Sequence, residues 1–497
     1  MSRRLSILAT VILVSFLVVV AQAAWIQGFH AAALDRSTLN PRNNVSTDQY
    51  ARGDIVAADG TVLAHSVATS SAASPWRRVY PLGSLTSGVV GFNSPIYSWG
   101  LETQYNAYLT AHAQPAQSLE QVLAPSTAAD SLTLTLLPAL QKVVRNALNG
   151  RDGSVVAIDP RSGGVLALYS NPTFNPMPFT SFDPKVLAAA WKSVTAKDAE
   201  GFPPLGLVAT QQTFPPGSTF KVVTTAGIVA YQPALLKRYF KPMVRTALPD
   251  TNQFLYNDGN VKCGGTVVQM LPASCDPGYA LLGLALGAKD LTAMANAFGF
   301  NEIPPLDMPY VDASFFPTES YLAANPPFLA YSAIGQEDVR ATALQDALIA
   351  SAIADGGTIM TPHLMSYVSA PDGSVAERYK DSIWKQPLTR SQASQIVSLM
   401  QDVVKSGTAY GVGFLRADDV AAKTGTAQTG KGTTDDWMIA FAPATNPTVA
   451  VAVSMPNQGI SVTGAEVAGP IMKCVIEGAL ALQRGLPATG TAATCPR

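Results

Sequence analysis

The chain is 497 residues long, which at roughly 150 residues per domain points to about three domains. Charged residues make up only 13%, about half the ~25% of an ordinary globular chain, while hydrophobic residues reach 47%. Lys plus Arg is 33 against 34 for Asp plus Glu, a net charge of -1. That balance excludes the basic excess of a nucleic-acid binder, and the apolar content excludes a wholly disordered chain.

Arg3 and Arg4 precede an uncharged, largely apolar run from Leu5 to Ala24, and the first acidic residue is Asp35. Twenty residues at a rise of 1.5 Å cover about 30 Å, the thickness of a bilayer core. The two arginines predict residues 1–4 in the cytoplasm, an anchor over 5–25 and the rest of the chain outside the membrane. A cleaved signal peptide competes with the anchor, because Ala21-Gln22-Ala23 has the small-x-small form of a cleavage site. A buried soluble helix is the third option. Both of the first two export the bulk of the chain.

Export gives the cysteines meaning. Cys263, Cys275, Cys474 and Cys495 allow three pairings. The local pairs Cys263–Cys275 and Cys474–Cys495 are preferred in an oxidising compartment, with free thiols as the alternative. Zinc is not expected, since none of the four histidines has ligand spacing with a cysteine.

The polar stretch from Asp35 to Asn44 reads as a loop. From Arg52 to Ala64, two short alternating runs flank Asp59-Gly60, a hairpin signal. The Arg-Gly-Asp triplet at 52–54 opens this strand, and a bare tripeptide is no evidence of adhesion. Leu101–Leu109 reads as a helix, and Ala111–Ala129 connects substructures. Ser131–Leu137 is strand-like and Pro138–Leu148 is a helix. Ser154–Ser170 is predicted to be a hairpin near the centre of a sheet. Residues 170–212 carry few regular signals. A buried helix runs from Ser218 to Ala230, and further helices are expected within 277–300 and 340–356. Three strands (Val420–Gln428, Trp437–Pro443 and Val449–Met455) precede a helix over Gly469–Gln483. This order predicts an α/β (α+β) domain with helices on a mainly antiparallel sheet, over residues 131–484. Residues 26–130 form a separate N-terminal domain. The tail, 485–497, is mobile unless Cys495 is bonded.

Two segments suggest chemistry. In Ser218-Thr219-Phe220-Lys221 a helical start puts Ser218 and Lys221 on one face, so the amine can take the hydroxyl's proton. The helix N terminus offers free amides to a developing oxyanion. Lys423-Thr424-Gly425-Thr426 lies in a strand; its lysine and hydroxyls suit a carboxylate, and Gly425 lets a ligand approach the backbone. A solvated strand end is the default alternative for this segment alone.

With these residues the chain resembles the class B penicillin-binding proteins, membrane-anchored serine D,D-transpeptidases of bacterial cell-wall synthesis, and among them the actinobacterial penicillin-binding protein A type. The similarity runs from Asn40-Pro41-Arg42-Asn43 through Arg52–Ala64 and Glu102–Leu109 to Pro215-Pro216-Gly217-Ser218-Thr219-Phe220-Lys221. It continues through Gly335-Gln336, Ala354-Asp355-Gly356-Gly357, Thr361-Pro362-His363 and Lys423-Thr424-Gly425-Thr426-Ala427 to Trp437–Pro443. The resemblance implies that Ser218 attacks the penultimate D-Ala carbonyl of a peptidoglycan stem peptide, with Lys221 as base. It implies a proton relay through Ser274, oriented by Lys423. Thr424 and Thr426 contact the terminal carboxylate, and the backbone N–H groups of Ser218 and Thr426 form the oxyanion hole. β-Lactams are expected to acylate Ser218. No metal or cofactor is required. Residues 26–130 become a pedestal or dimerisation-like domain. The implied partners are the cytoplasmic membrane, products of lipid-linked precursors, a separate glycosyltransferase and other cell-wall synthesis proteins.

The chain departs from the family at Ser274-Cys275-Asp276, where the usual pattern is Ser-x-Asn. An ionised Asp276 cannot donate a hydrogen bond to a substrate carbonyl. It can pair with Lys221, stabilising the ammonium and weakening the base. The alternatives are a protonated Asp276, or a side chain turned away to cap its loop. Two competing functions follow: a non-catalytic or weakly catalytic scaffold of the cell-wall machinery, and a β-lactamase or β-lactam sensor.

Overall fold

This computed structural model describes residues 3–25, 50–72, 74–113, 127–488 and 495. The loop expected at 35–44 and most of the tail lie outside the described residues, as does the middle of the 111–129 connection. In chain order the principal elements begin with α1 (Arg3–Trp25), β1 (Ile55–Val56), β2 (Val62–Ala68), β3 (Trp76–Val79), β4 (Ser131–Leu134), α2 (Pro138–Leu148), β5 (Gly153–Ile158) and β6 (Val165–Asn171). They continue with α3 (Lys221–Tyr231), α4 (Asp276–Leu286), α5 (Ala343–Ala354), β7 (Met365–Ser369), β8 (Val375–Arg378) and α6 (Arg390–Lys405). The chain then forms β9 (Ala421–Gln428), β10 (Thr433–Ala442), β11 (Val449–Gly459) and α7 (Gly464–Gln483). Among the described residues no helix is long and apolar enough to cross a membrane. In α1 the description covers only the side chains of Ile7, residues 10–22 and Trp25, all exposed.

Two sheets organise the chain. A five-stranded sheet has the order β6-β5-β11-β10-β9, antiparallel throughout. Its central strands read as near-continuous apolar runs because both faces are covered: Trp437–Ala442 of β10 and Val449–Val453 of β11 are fully buried. Helices α2 and α7 pack against it, as does α5. The α+β architecture expected from the strand and helix pattern is therefore present. The hairpin expected at the sheet centre is instead at its margin, with β6 as an edge strand. An apolar run records burial on both faces and does not distinguish a central strand from an edge covered by helices.

The second sheet has six strands in the order β8-β7-β4-β1-β2-β3, drawing on chain from before residue 80, from Ser131–Leu134 and from after residue 364. Asp59-Gly60 closes its β1–β2 hairpin: Gly60 adopts φ 84°, and the Asp59 carboxylate accepts from the Thr61 amide at 3.0 Å. Beneath this sheet Glu102 is fully buried between two guanidiniums, accepting from Arg52 Nε at 2.6 Å and Arg78 Nε at 2.7 Å.

Helix boundaries follow local chemistry. α2 starts on Pro138 and stops at Asn149 in the left-handed region, φ 51°. The Leu101–Leu109 helix is two short helices broken at Tyr105, and the one predicted within 277–300 breaks at Gly287, φ 86°. The segment 170–212, read as largely irregular, contains the helix Pro184–Thr195, whose signals are Asp183 as N-cap and Pro184 at the first turn. α7 begins five residues before the expected Gly469, at a capping box formed by Thr463 and Glu466, and passes through Pro470. Cys474 on α7 is bonded to Cys495, which ties the tail to the domain, and Cys263 is bonded to Cys275.

Candidate active site

Ser218 lies in a tight turn, Gly217–Phe220, that runs directly into α3, so its amide is among the first N–H groups of the helical segment. The turn is wedged against edge strand β9. Gly217 needs a positive φ of 55°, and a Cβ there would lie 2.7 Å from the Thr426 carbonyl oxygen. A Cβ on Gly425 would lie 2.6 Å from the Pro216 carbonyl oxygen. This corrects the sequence reading of Gly425: the space its missing side chain leaves is filled by the backbone before Ser218, not kept for a ligand. Behind the turn, the Thr219 hydroxyl donates to the buried Asp346 carboxyl on α5 at 2.8 Å.

Lys221 is fully buried and turned toward the loop before α4. Its ammonium donates to the Ser274 carbonyl at 2.6 Å, to Asp276 Oδ1 at 2.7 Å and, more weakly, to Ser274 Oγ at 3.3 Å. Asp276 therefore faces the lysine and does not turn away to cap its loop. Lys423, also fully buried, donates to the same Ser274 Oγ at 2.8 Å and to the Thr424 carbonyl at 2.8 Å. Ser274 thus bridges two amines that are 202 residues apart in sequence (423 − 221). It holds this position with a left-handed backbone, φ 53°, beside the Cys263–Cys275 disulfide.

Electrostatics set the proton affinities. Burial lowers Lys221 below its ordinary value, although Asp276 acts in the opposite sense. Burial, with repulsion from Lys221, holds Lys423 well below its ordinary value. Both amines thus lose protons more easily than an exposed lysine. The Asp276 pairing expected from sequence exists, but desolvation outweighs its effect on Lys221. The Ser218 hydroxyl, one turn before Lys221, faces an open groove.

Thr424 and Thr426 also line this groove. Thr424 Oγ1 is hydrogen-bonded to Thr408 Oγ1 at 2.6 Å, and Thr426 Oγ1 accepts from the Gly464 amide at 3.0 Å. Asp436 stands opposite Thr426 in the β9–β10 ladder, and burial raises it to about 7. Several contributors escaped sequence reasoning: Thr408, Asp346, Asp436, and Asn257, which accepts from the Asp276 amide at 3.0 Å. None carries a local signal: Thr408, Asp346 and Asn257 come from other segments, and Asp436 meets Thr426 only through the pairing of two strands. Among the described residues, the one grouping of candidate metal ligands is Asp152, Asp198 and Glu200, none of which lines the groove.

A nucleophilic hydroxyl, two desolvated amines and a bridging hydroxyl beside a sheet edge define a serine acyl-transfer site. Residues 153–477 match the penicillin binding protein transpeptidase domain, and residues 52–131 match the penicillin binding protein A dimerisation domain. The chain is 33% identical to the peptidoglycan D,D-transpeptidase PbpA of Mycolicibacterium smegmatis, over 97% of this chain and 99% of that one. The crystal structure of PBPA from Mycobacterium tuberculosis superposes with a TM-score of 0.78 at 32% identity, covering 87% of this chain and all of that one. A penicillin G acyl-enzyme complex of the same M. tuberculosis protein gives the same TM-score, 0.78, at 32% identity, covering 87% of this chain and 100% of the other. The chain belongs to the penicillin-binding protein transpeptidase family.

Proposed function

We propose that this protein is a peptidoglycan D,D-transpeptidase that works through an acyl-enzyme on Ser218. The observation that carries the reading is that Ser218 and Ser274 line one groove, with Ser274 Oγ held behind it between the buried amines of Lys221 and Lys423.

Neutral Lys221 takes the Ser218 proton as Oγ attacks the penultimate D-Ala carbonyl of a stem peptide. The amides of Ser218 and Thr426 receive the oxyanion, each such donor being worth about 3–4 kcal/mol. The C–N bond then breaks. Ser274 delivers a proton to the leaving D-Ala nitrogen and is resupplied from the lysines, which leaves an ester on Ser218. An acceptor amine attacks that ester, releases Ser218 and forms the cross-link. Lys221 contacts Ser274 and Asp276 in the resting enzyme, and the Ser218 contact forms as substrate binds; catalytic hydrogen bonds commonly tighten only then. The outer edge of β9 offers main-chain groups to the donor peptide, and Thr424 and Thr426 offer hydroxyls to its terminal carboxylate. A β-lactam amide enters by the same attack.

The location follows from the chemistry. The uncharged run Leu5–Ala24, read from the sequence, anchors the chain in the cytoplasmic membrane with the catalytic domain outside, a reading that two disulfides support. The N-terminal domain serves as a pedestal where a glycosyltransferase and other cell-wall synthesis proteins dock, supported by its match to a dimerisation domain. Labelling with a fluorescent penicillin tests the core of the proposal. The wild-type chain takes the label and Ser218→Ala does not; equal labelling of both, or of neither, defeats it.

A further inference from the structure

The turn that carries Ser218 is gripped on both sides of the nucleophile. Before it, the Gly217 amide donates to the Gly335 carbonyl at 2.9 Å, and the Pro216 carbonyl oxygen sits so close to β9 that a Cβ on Gly425 would lie 2.6 Å away. After it, Thr219 Oγ1 is 3.0 Å from the same Pro216 carbonyl oxygen and 2.8 Å from Asp346 Oδ2 on α5. Thr219 and Asp346 are both fully buried.

Two acceptors therefore face a hydroxyl that has one proton to give. An ionised Asp346 takes that proton, and the Pro216 carbonyl loses it. A protonated Asp346 instead donates to Thr219 Oγ1, which leaves the hydroxyl proton for Pro216. Only the acid completes a chain from α5 through Thr219 to Pro216, bridging the residues on either side of Ser218.

The surroundings favour the acid. Asp346 Oδ1 has no hydrogen-bond partner among the described residues, and a buried charge without partners is costly. Of the elements packed on α5, β5 and β11 carry no charged residue, nor do the short segments Val208–Gln211 and Ile359–Met360. β10 carries Asp435 and Asp436, and α6 carries Arg390, Asp402 and Lys405. None of these offsets the charge: burial raises Asp346 to about 7, opposed only by Thr219.

We infer that Asp346 is a positioning residue for the nucleophile: as a neutral acid it donates to Thr219, which then fixes the Pro216 carbonyl and with it the hydroxyl and amide of Ser218. The inference rests on the transpeptidase reading and adds a second proton requirement to it. Lys221 must have lost a proton, and Asp346 must have kept one. When Asp346 ionises its proton passes to solvent, the Thr219 hydroxyl turns to the carboxylate, and the turn loosens.

The test uses the full chain in detergent and a fluorescent penicillin, with the acylation rate constant measured from pH 6 to pH 8. Asn at position 346 donates through Nδ2 at every pH. Lys221 titrates in both proteins, so dividing the wild-type constant by that of Asp346→Asn removes its contribution. The quotient should fall about ten-fold over this range, which is the change in the protonated fraction of an acid near 7. Asp346→Ala has no donor and should acylate about ten-fold more slowly than Asp346→Asn at each pH. The second pair of variants leaves Asp346 in place. Thr219→Val breaks the chain, so its quotient falls like that of Asp346→Asn, whereas Thr219→Ser keeps the hydroxyl and its quotient stays level. A carboxyl that only stabilises the fold would give level quotients throughout. If Asp346→Asn does not fold, the Thr219 pair decides. A level quotient against either Asp346→Asn or Thr219→Val overturns the inference while Ser218 still labels. Failure of the wild type to label sinks the transpeptidase reading as well.

Discussion

Two buried ion clusters in this molecule do opposite work. Under the six-stranded sheet one carboxylate serves two guanidiniums, and Tyr80 Oη adds a third donor to Glu102 at 3.1 Å. Arg52 gives three further donors to Asn106 Oδ1, Thr110 Oγ1 and the Glu102 carbonyl, at 2.7, 2.9 and 2.6 Å. Burial alone drives Glu102 upward, but Arg78 and Arg52 outweigh it and hold the group below its usual range. Burial lowers Arg52 as well, yet a guanidinium starts so high that it stays charged. Beside the groove the ratio is the same, two ammoniums to one carboxylate, but these cations can lose a proton. Crowded cations that can lose a proton become bases, whereas guanidiniums paired with one carboxylate cannot titrate and hold structure. The lysine cluster is therefore suited to chemistry, and the arginine cluster to fixing the chain at Arg52, Arg78 and Glu102.

Single substitutions can break this contrast. The largest effect is expected for Lys221→Met. Loss of the general base lowers the rate of penicillin acylation about 10²–10⁴-fold, while the thermal midpoint changes little. An acylation rate within ten-fold of wild type would remove Lys221 from the mechanism. Glu102→Gln does the reverse. It leaves two buried guanidiniums without their counter-charge and costs about 3–5 kcal/mol in denaturant unfolding, whereas the protein that remains folded acylates at the wild-type rate. A loss below about 1 kcal/mol would show that this cluster is no more than a surface-type pair.

Asp276→Asn sharpens the contrast at the groove. Acylation rises with pH as Lys221 loses its proton, and Asp276 opposes that loss. Removing the carboxylate moves the rising limb to lower pH and speeds acylation at neutral pH by several-fold. Coincident pH profiles, or a shift to higher pH, would contradict the assigned electrostatics. The smallest effect is expected behind the nucleophile. Burial raises the Asp346 carboxyl from 3.8 to about 7, so the folded chain holds this proton more tightly than the unfolded chain. Stability from this group is present below pH 3.8 and is lost as pH rises toward 7 and just above. In Asp346→Asn the fall in melting temperature between pH 5 and pH 8 should shrink by about 2 °C. An undiminished fall assigns the pH dependence to other groups.

Much of the fold was legible in the chain. Asp59-Gly60 gave the hairpin, and Pro138 and Asn149 bracket α2. The apolar runs at 437–443 and 449–455 located the strands that cross the core. The helix Pro184–Thr195 was legible too, through its Asp-Pro start, but the irregular composition around it obscured the signal. The position of the β5–β6 hairpin was not, because strand order depends on which distant strands pair.

The site divides in the same way. By itself the sequence determined that Ser218 and Lys221 stand one turn apart, that Lys423-Thr424-Gly425-Thr426 lies on a strand, and that a carboxylate occupies position 276. These follow from helical and strand periods acting over a few residues. Only the tertiary structure decided that Ser274 bridges both lysines, that Gly425 makes room for the turn carrying Ser218, and that Asp276 pairs with Lys221 yet leaves it easier to deprotonate. Those outcomes depend on burial and on contacts between segments up to 209 residues apart (425 − 216). Desolvation is a property of the folded surroundings, so no local pattern of residues specifies it.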